Sequence, residues 1–404
     1  MTTSSTKSIV SHYDKLLSDT DSESKRANDE TQSTSRRPST SLLFDKFYEE
    51  NKNLLKMDAS DTYPRNESAI HELVERAKHE NDIAAVQMAD LVSFALTHIG
   101  FSEFYQTLCK NAYELSKVCD EQNKKIHLVI YGDVSKSNVW CSLLVWPIVR
   151  PYVVGVSGTT DIPSGISAKS DIMLLLVDDA IYSGKQMHGA LTAIQSNTQL
   201  LYKQTNNDKN VVDDWETAPV NVGVLVCATT KHGRAKVASV SPLVRFIGSY
   251  TKDIFTLDES LKELHPKRAA TIERNIMETR WFTTIESIAN FNFDVTLTYF
   301  DHKMPDSLST NDHFLAAVPF PAEESEDWVT VRSLITRCPK SDFFGISSGY
   351  VEMSQREAAG LSRQLGGKCP PAFYKTIAYK VNGEAVSSNR VNIDDVLKMY
   401  VSSN

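Results

Sequence analysis

Residues 172–186 read Ile-Met-Leu-Leu-Leu-Val-Asp-Asp-Ala-Ile-Tyr-Ser-Gly-Lys-Gln, which sets two carboxylates beside a short polar loop. Carboxylates accept hydrogen bonds from sugar hydroxyls and ligate hard divalent cations. The loop brings a hydroxyl (Ser183), a small turn residue (Gly184), an ammonium (Lys185) and an amide (Gln186), and a helix-like run follows from Met187. Backbone N–H groups at a helix start, beside a hydroxyl and a cation, make a cradle for an anion such as phosphate. Acids for a ribose or a metal, next to a phosphate cradle, point to a sugar-phosphate ligand.

Those residues must be positioned by a strand and a helix. An apolar run bounded by turn signals is the pattern of a strand buried on both faces of a parallel sheet. Two adjacent ionised acids are costly to bury. Asp178 and Asp179 are therefore expected at the carboxyl edge of that strand, facing the crevice where open α/β sheets bind ligands.

The segment resembles the phosphoribosyl-diphosphate (PRPP) signature of type I phosphoribosyltransferases: four apolar residues, two acids, a few variable residues, then Thr or Ser, Gly, a variable residue and Thr. Leu174 to Val177 match the apolar part, and Gly184-Lys185-x-Met187 is similar to the purine-salvage enzymes. The resemblance implies that Asp178 and Asp179 hold the ribose hydroxyls and a Mg²⁺ ion. It implies that Tyr182, Ser183, Gly184, Lys185 and Gln186 form the 5′-phosphate loop. Two positions depart from the family pattern. Tyr182 stands where several members carry an Asp that assists the base, and Gln186 replaces the usual second hydroxyl. Gln still donates to phosphate oxygens.

The flanking sequence fits a strand–helix alternation. Ile126 to Gly132 reads as an earlier strand, followed by Asp133 to Asn138 and an apolar helical run from Val139 to Val149. The resemblance makes Lys136 and Ser137 the diphosphate-contacting loop. Tyr152 to Val156, Val220 to Ala228 and Leu243 to Gly248 read as further strands, and helix-length spacers between strands argue for parallel βαβ connections. Lys231 and His232, with Arg234, follow the Val220 strand and are candidate base-binding residues. Phe293 to Phe300 reads as a strand leading into Asp301, His302 and Lys303. The near-neutral intrinsic pKa of histidine makes His302 a candidate for proton transfer, against a plain surface turn. A Walker phosphate loop does not fit: no Ser or Thr follows Lys185, and Asp179 occupies the position of the first glycine.

Composition sets the class. The chain has 404 residues, 41% of them hydrophobic, with a formal net charge of −8, so broad nucleic-acid binding is not expected. No apolar stretch reaches the length of about 18 residues needed to span a membrane, and the polar start is unlike a signal peptide. The six cysteines are scattered without a Cys-x-x-Cys pair, which suits a reduced, cytoplasmic setting without structural zinc.

The expected layout is a disordered Ser/Thr-rich tail over 1–60, most polar before residue 41, and a helical block over 61–124 with helices Ile83 to His98 and Phe101 to Val118. A Rossmann-like parallel α/β domain of the phosphoribosyltransferase type follows over 125–310. An α+β extension covers 311–404, with a hairpin about Asn382-Gly383 and a final helix capped by Asn392. The expected function is Mg²⁺-dependent binding of PRPP, or of a nucleoside monophosphate, and transfer of phosphoribose to a base. Asp178, Asp179, Tyr182 and His302 are the catalytic candidates, and a homo-oligomer is left open. The alternative keeps PRPP or nucleotide binding and drops the reaction. PRPP synthesis is weaker, since no ATP-binding sequence or second copy of the domain stands out.

Overall fold

The apolar runs of the middle third build one parallel sheet. In the computed structural model, residues 38–55, 83–132, 134, 136–163, 166, 171–198, 221–278, 293, 296–302, 380–381, 384–385 and 391–402 are described, with scattered positions between 67 and 79. The central strands are β2 (Lys125–Ile130), β3 (Val153–Gly158), β4 (Ile172–Ile181), β5 (Val222–Thr229), β6 (Val244–Phe246) and β7 (Lys252–Asp253). Their order is β3-β2-β4-β5-β6, with β7 also paired to β5, and every pairing is parallel. The expected α/β class with a mainly parallel sheet is the architecture found.

Period-two alternation divides the core. Met173, Leu175 and Val177 of β4 pack with helices α3 (Phe101–Gln122) and α4 (Ser137–Val149) on one face. Leu174 and Leu176 pack on the other face with Met187, Leu191 and Ile194 of α5 (Lys185–Thr198) and Val237 of α6 (Lys231–Ala238). The connection after β2 thus covers one face and the connection after β4 covers the other. Because β3 lies on the far side of β2, the strand order reverses between β2 and β4. That is the topological switch point, where the carboxyl ends of neighbouring strands open a crevice.

The chain outside the sheet departs from expectation in four places. Helix α1 (Thr40–Asn51) lies inside the span assigned to a tail, because Leu43, Phe44 and Phe47 recur at helical spacing and are buried in the core that includes Trp146. Helix α2 (Ile83–Ala95) stops before His98. Thr97–Ile99 instead forms β1, whose β-branched ends suit a strand, and it pairs in parallel with β8 (Thr298–Phe300) outside the main sheet. Helix α3 is not part of a separate block: Asn111 donates to Val226 O of β5 at 3.2 Å and to Thr251 Oγ1 at 3.0 Å. The C-terminal helix α9 (Ile393–Ser402), capped by Asn392 as expected, packs on α1 and β3, so the last residues belong to the same core.

The segment 257–288 yields α7 (Leu257–Leu264), started by a Thr256–Glu259 capping box, and α8 (Ala269–Glu278). The hairpin about Asn382-Gly383 pairs β9 (Lys380–Val381) with β10 (Glu384–Ala385) antiparallel. The expected insertion at 203–216, the helix at 350–365 and most of the 1–60 tail lie outside the described residues. Among the described residues no helix is long and apolar enough to cross a membrane.

Candidate functional site

The two acids do not face one crevice. Strand β4 continues past them, with Asp178 paired to Val226, Ala180 to Ala228 and Ile181 to Thr229, and both side chains are buried. Alternation turns them to opposite faces. The expectation that both sit at the strand's carboxyl edge facing one crevice is therefore corrected: strand pairing extends to Ile181, and each carboxylate is held by partners on its own face.

Asp178 faces the α5 side. The Tyr131 hydroxyl donates to its Oδ2, the Ser137 hydroxyl donates to Oδ1 at 2.6 Å, and the Asp179 N–H donates to Oδ1 at 2.9 Å. Burial, with Asp178 beside it, pushes the Tyr131 phenol well above its ordinary range, so it remains a neutral donor. Tyr131 is in turn anchored by Asn138, whose side-chain amide donates to the Tyr131 carbonyl. Ser137, expected to touch a diphosphate, thus ties the first turn of α4 to β4.

Asp179 faces the α3–α4 side. Its Oδ1 accepts from Ala180 N at 2.6 Å, and its Oδ2 lies 4.0 Å from Nε2 of His302. The proton-transfer candidate His302 is itself enclosed. Its ring centroid lies 4.5 Å from Phe104, 4.7 Å from Trp140, 5.1 Å from Phe300 and 6.1 Å from Phe101. The neighbouring Asp301 accepts from Phe101 N at 2.6 Å, at the start of α3, and its other oxygen lies 2.6 Å from His98 Nε2. His302 is therefore buried rather than part of a surface turn, because β8 carries it inward from its pairing with β1.

The remaining candidates gather at the carboxyl edge. Tyr182 to Gly184 link β4 to α5, with Gly184 at φ +71°, a conformation that favours glycine. A Cβ on Gly184 would lie 2.8 Å from the Gly233 carbonyl, so the loop is pressed against the first turn of α6. Thr230 fastens the contact: its hydroxyl donates to Tyr182 O and accepts from Gly233 N at 2.9 Å. Lys231 and His232, expected on a strand-end loop, instead occupy the first turn of α6. Ser183, Lys185, Gln186, Lys231 and His232 are exposed there, while Tyr182 is half-buried against the core. Across the switch point, Lys136 is the exposed residue preceding α4, and its stem passes over Gly132.

This arrangement can bind an anion through two adjoining helix starts and their cations. Asp178 and Asp179, turned apart and already accepting hydrogen bonds, do not form a joint chelate for Mg²⁺. Among the described residues no group of three or more His, Cys, Asp or Glu side chains is placed to hold a metal ion. Tyr131, Asn138 and the aromatic shell of His302 were not singled out in the sequence, since parallel strand neighbours leave no local signal. No protein-family model matches this sequence, and no curated protein matches it either.

Proposed function

We propose that this chain is a phosphoribosyltransferase-like protein that binds PRPP or a nucleoside 5′-monophosphate at the carboxyl edge between β2 and β4. The observation that carries the reading is topological. The loops that follow β2 and β4 flank the reversal of strand order, the position at which open α/β sheets take ligands. Ser183, Lys185 and Gln186 would receive the 5′-phosphate at the start of α5. Lys136 would meet the diphosphate from across the crevice, and Lys231 and His232 would border the base. Mg²⁺ would travel on the diphosphate of PRPP, not on the two acids. Phosphoribosyl transfer would break the bond from ribose C1 to a diphosphate oxygen, form a bond from C1 to a base nitrogen, and pass the nitrogen's proton to solvent.

A second reading keeps the binding and drops the transfer. It is favoured by the present engagement of Asp178 with Tyr131 and Ser137 and by the burial of Asp179 beside His302. Both readings are tested by calorimetry with PRPP and Mg²⁺ on the full chain and on Ser183→Ala/Lys185→Ala, whose side chains are exposed. Binding that falls at least about tenfold in the double variant supports the site, as expected when charge-assisted contacts to phosphate are removed. No heat with millimolar PRPP or nucleoside monophosphate would sink it. Diphosphate release on adding purine or pyrimidine bases then separates transfer from binding alone.

A further inference from the structure

The crevice at the switch point is bridged by side chains. Tyr131, directly after β2, and Ser137, the first residue of α4, lie on one side of the strand reversal, and Asp178 of β4 lies on the other. The Tyr131 hydroxyl donates to Oδ2 of Asp178, and the Ser137 hydroxyl donates to Oδ1 at 2.6 Å. Each oxygen of one carboxylate therefore accepts from a separate hydroxyl. A vicinal diol makes the same pair of contacts, with one O–H to each carboxylate oxygen.

The bridge is fixed at both ends. The Asn138 side chain donates to the Tyr131 carbonyl, and the Asp179 N–H donates to Asp178 Oδ1 at 2.9 Å. Ile162 and Ile166, from the connection after β3, are buried in the same apolar cluster as Tyr131, Ile181 and Met187. Asp178 is only 5% exposed as a result, although it faces the side of β4 on which α5 begins. A sugar phosphate whose phosphate rests at the start of α5 would bring its ring to that face and meet a carboxylate already engaged.

We infer that Tyr131 and Ser137 are positioning residues that hold Asp178 in the place of a sugar diol, so that a ribose ligand engages this carboxylate only by displacing them. The inference rests on the reading of this edge as a sugar-phosphate site. Displacement exchanges two protein hydroxyls for two ligand hydroxyls, so the diol adds little to affinity. A sugar lacking the diol leaves the bridge closed and loses nothing. The parent protein should therefore distinguish ribose 5-phosphate from 2-deoxyribose 5-phosphate by less than about threefold. Deleting one bridging hydroxyl leaves the buried carboxylate short of a donor that only the ribose ligand restores, so affinity for ribose 5-phosphate should rise about tenfold.

The test is calorimetry on the full chain with ribose 5-phosphate, 2-deoxyribose 5-phosphate and inorganic phosphate, comparing the parent with Tyr131→Phe. Ser137→Ala, at a half-buried position, is the second variant should Tyr131→Phe fail to fold. The expected result is tighter binding of ribose 5-phosphate alone, with the other two ligands unchanged. A merely structural role for Tyr131 would not raise affinity for one sugar and spare the other. Equal affinities in parent and variant, or an equal rise for both sugars, overturn the inference. Where binding of either sugar phosphate is still weakened by Ser183→Ala/Lys185→Ala, that result leaves the sugar-phosphate reading standing. Absence of binding by all three ligands in the parent and in both variants overturns that reading, and the inference with it.

Discussion

Tyr131, which directly follows β2, and Asp178 of the neighbouring strand β4 are joined by a buried hydrogen bond from phenol to carboxylate. This bond, with that from Ser137, explains how a carboxylate is tolerated inside β4. Its removal should cost stability. Tyr131→Phe leaves the carboxylate short of one donor and should destabilise by about 1–3 kcal/mol in urea unfolding. Asp178→Asn should cost a similar amount, and the double variant less than the sum, because the two changes share one interaction. Strict additivity would show that the two groups do not act together.

The enclosure of His302 leads to a second expectation. Its ring fills a slot among Phe104, Trp140, Phe300 and Phe101, so His302→Ala should leave a cavity and destabilise by about 3 kcal/mol, the scale of a large-to-small core change. PRPP affinity should change little, because Ser183, Lys185 and Gln186 are exposed whereas the His302 ring is buried. A variant with parental stability would return His302 to the role of a solvent-accessible proton carrier.

These two residues also mark how much was legible in the sequence. The period-two pattern and unbroken apolar runs identified the sheet strands, and Gly184 with Ser183 marked the loop, because turns and buried strands have local chemical causes. What faces Asp178 and Asp179 depends on which strand lies beside β4, and parallel neighbours are distant in sequence. Ser137 was singled out from its loop, yet its partner is 41 residues away. The cost of burying an acid is general, but its remedy at Asp178, a tyrosine and a serine from the β2–α4 connection, is tertiary. The same reason hid α1, whose short apolar stripe sits next to a Ser-rich stretch and gains its stability from packing on β3 and α9.

That packing gives a third expectation. Phe44 and Phe47 are fully buried, and Phe44 meets Trp146 at 4.6 Å between ring centroids. Phe44→Ala or Phe47→Ala should each cost about 3–5 kcal/mol in denaturant unfolding, as for core aromatic truncations elsewhere. A cost below about 1 kcal/mol would mean that α1 is dispensable and that the folded core begins later in the chain.

The last expectation concerns acid. His127 of β2 is buried, with Nε2 2.9 Å from the Ser157 hydroxyl on β3, and a Cβ on Gly155 would press on its ring. Burial lowers its pKa to about 4, from an ordinary value of 6.5. The unfolded chain therefore binds a proton to this residue more readily than the folded one. The stability that neutral His127 preserves is complete above about 6.5 and is lost as pH falls through that value towards 4. The loss attributable to this residue approaches about 3 kcal/mol at the acid end. Stability measured by urea unfolding at pH 7, 6, 5 and 4.5 should fall more steeply in the parent than in His127→Gln, which has no titrating group. Parallel profiles in the parent and His127→Gln would mean that the imidazole finds compensation for its charge in the folded state.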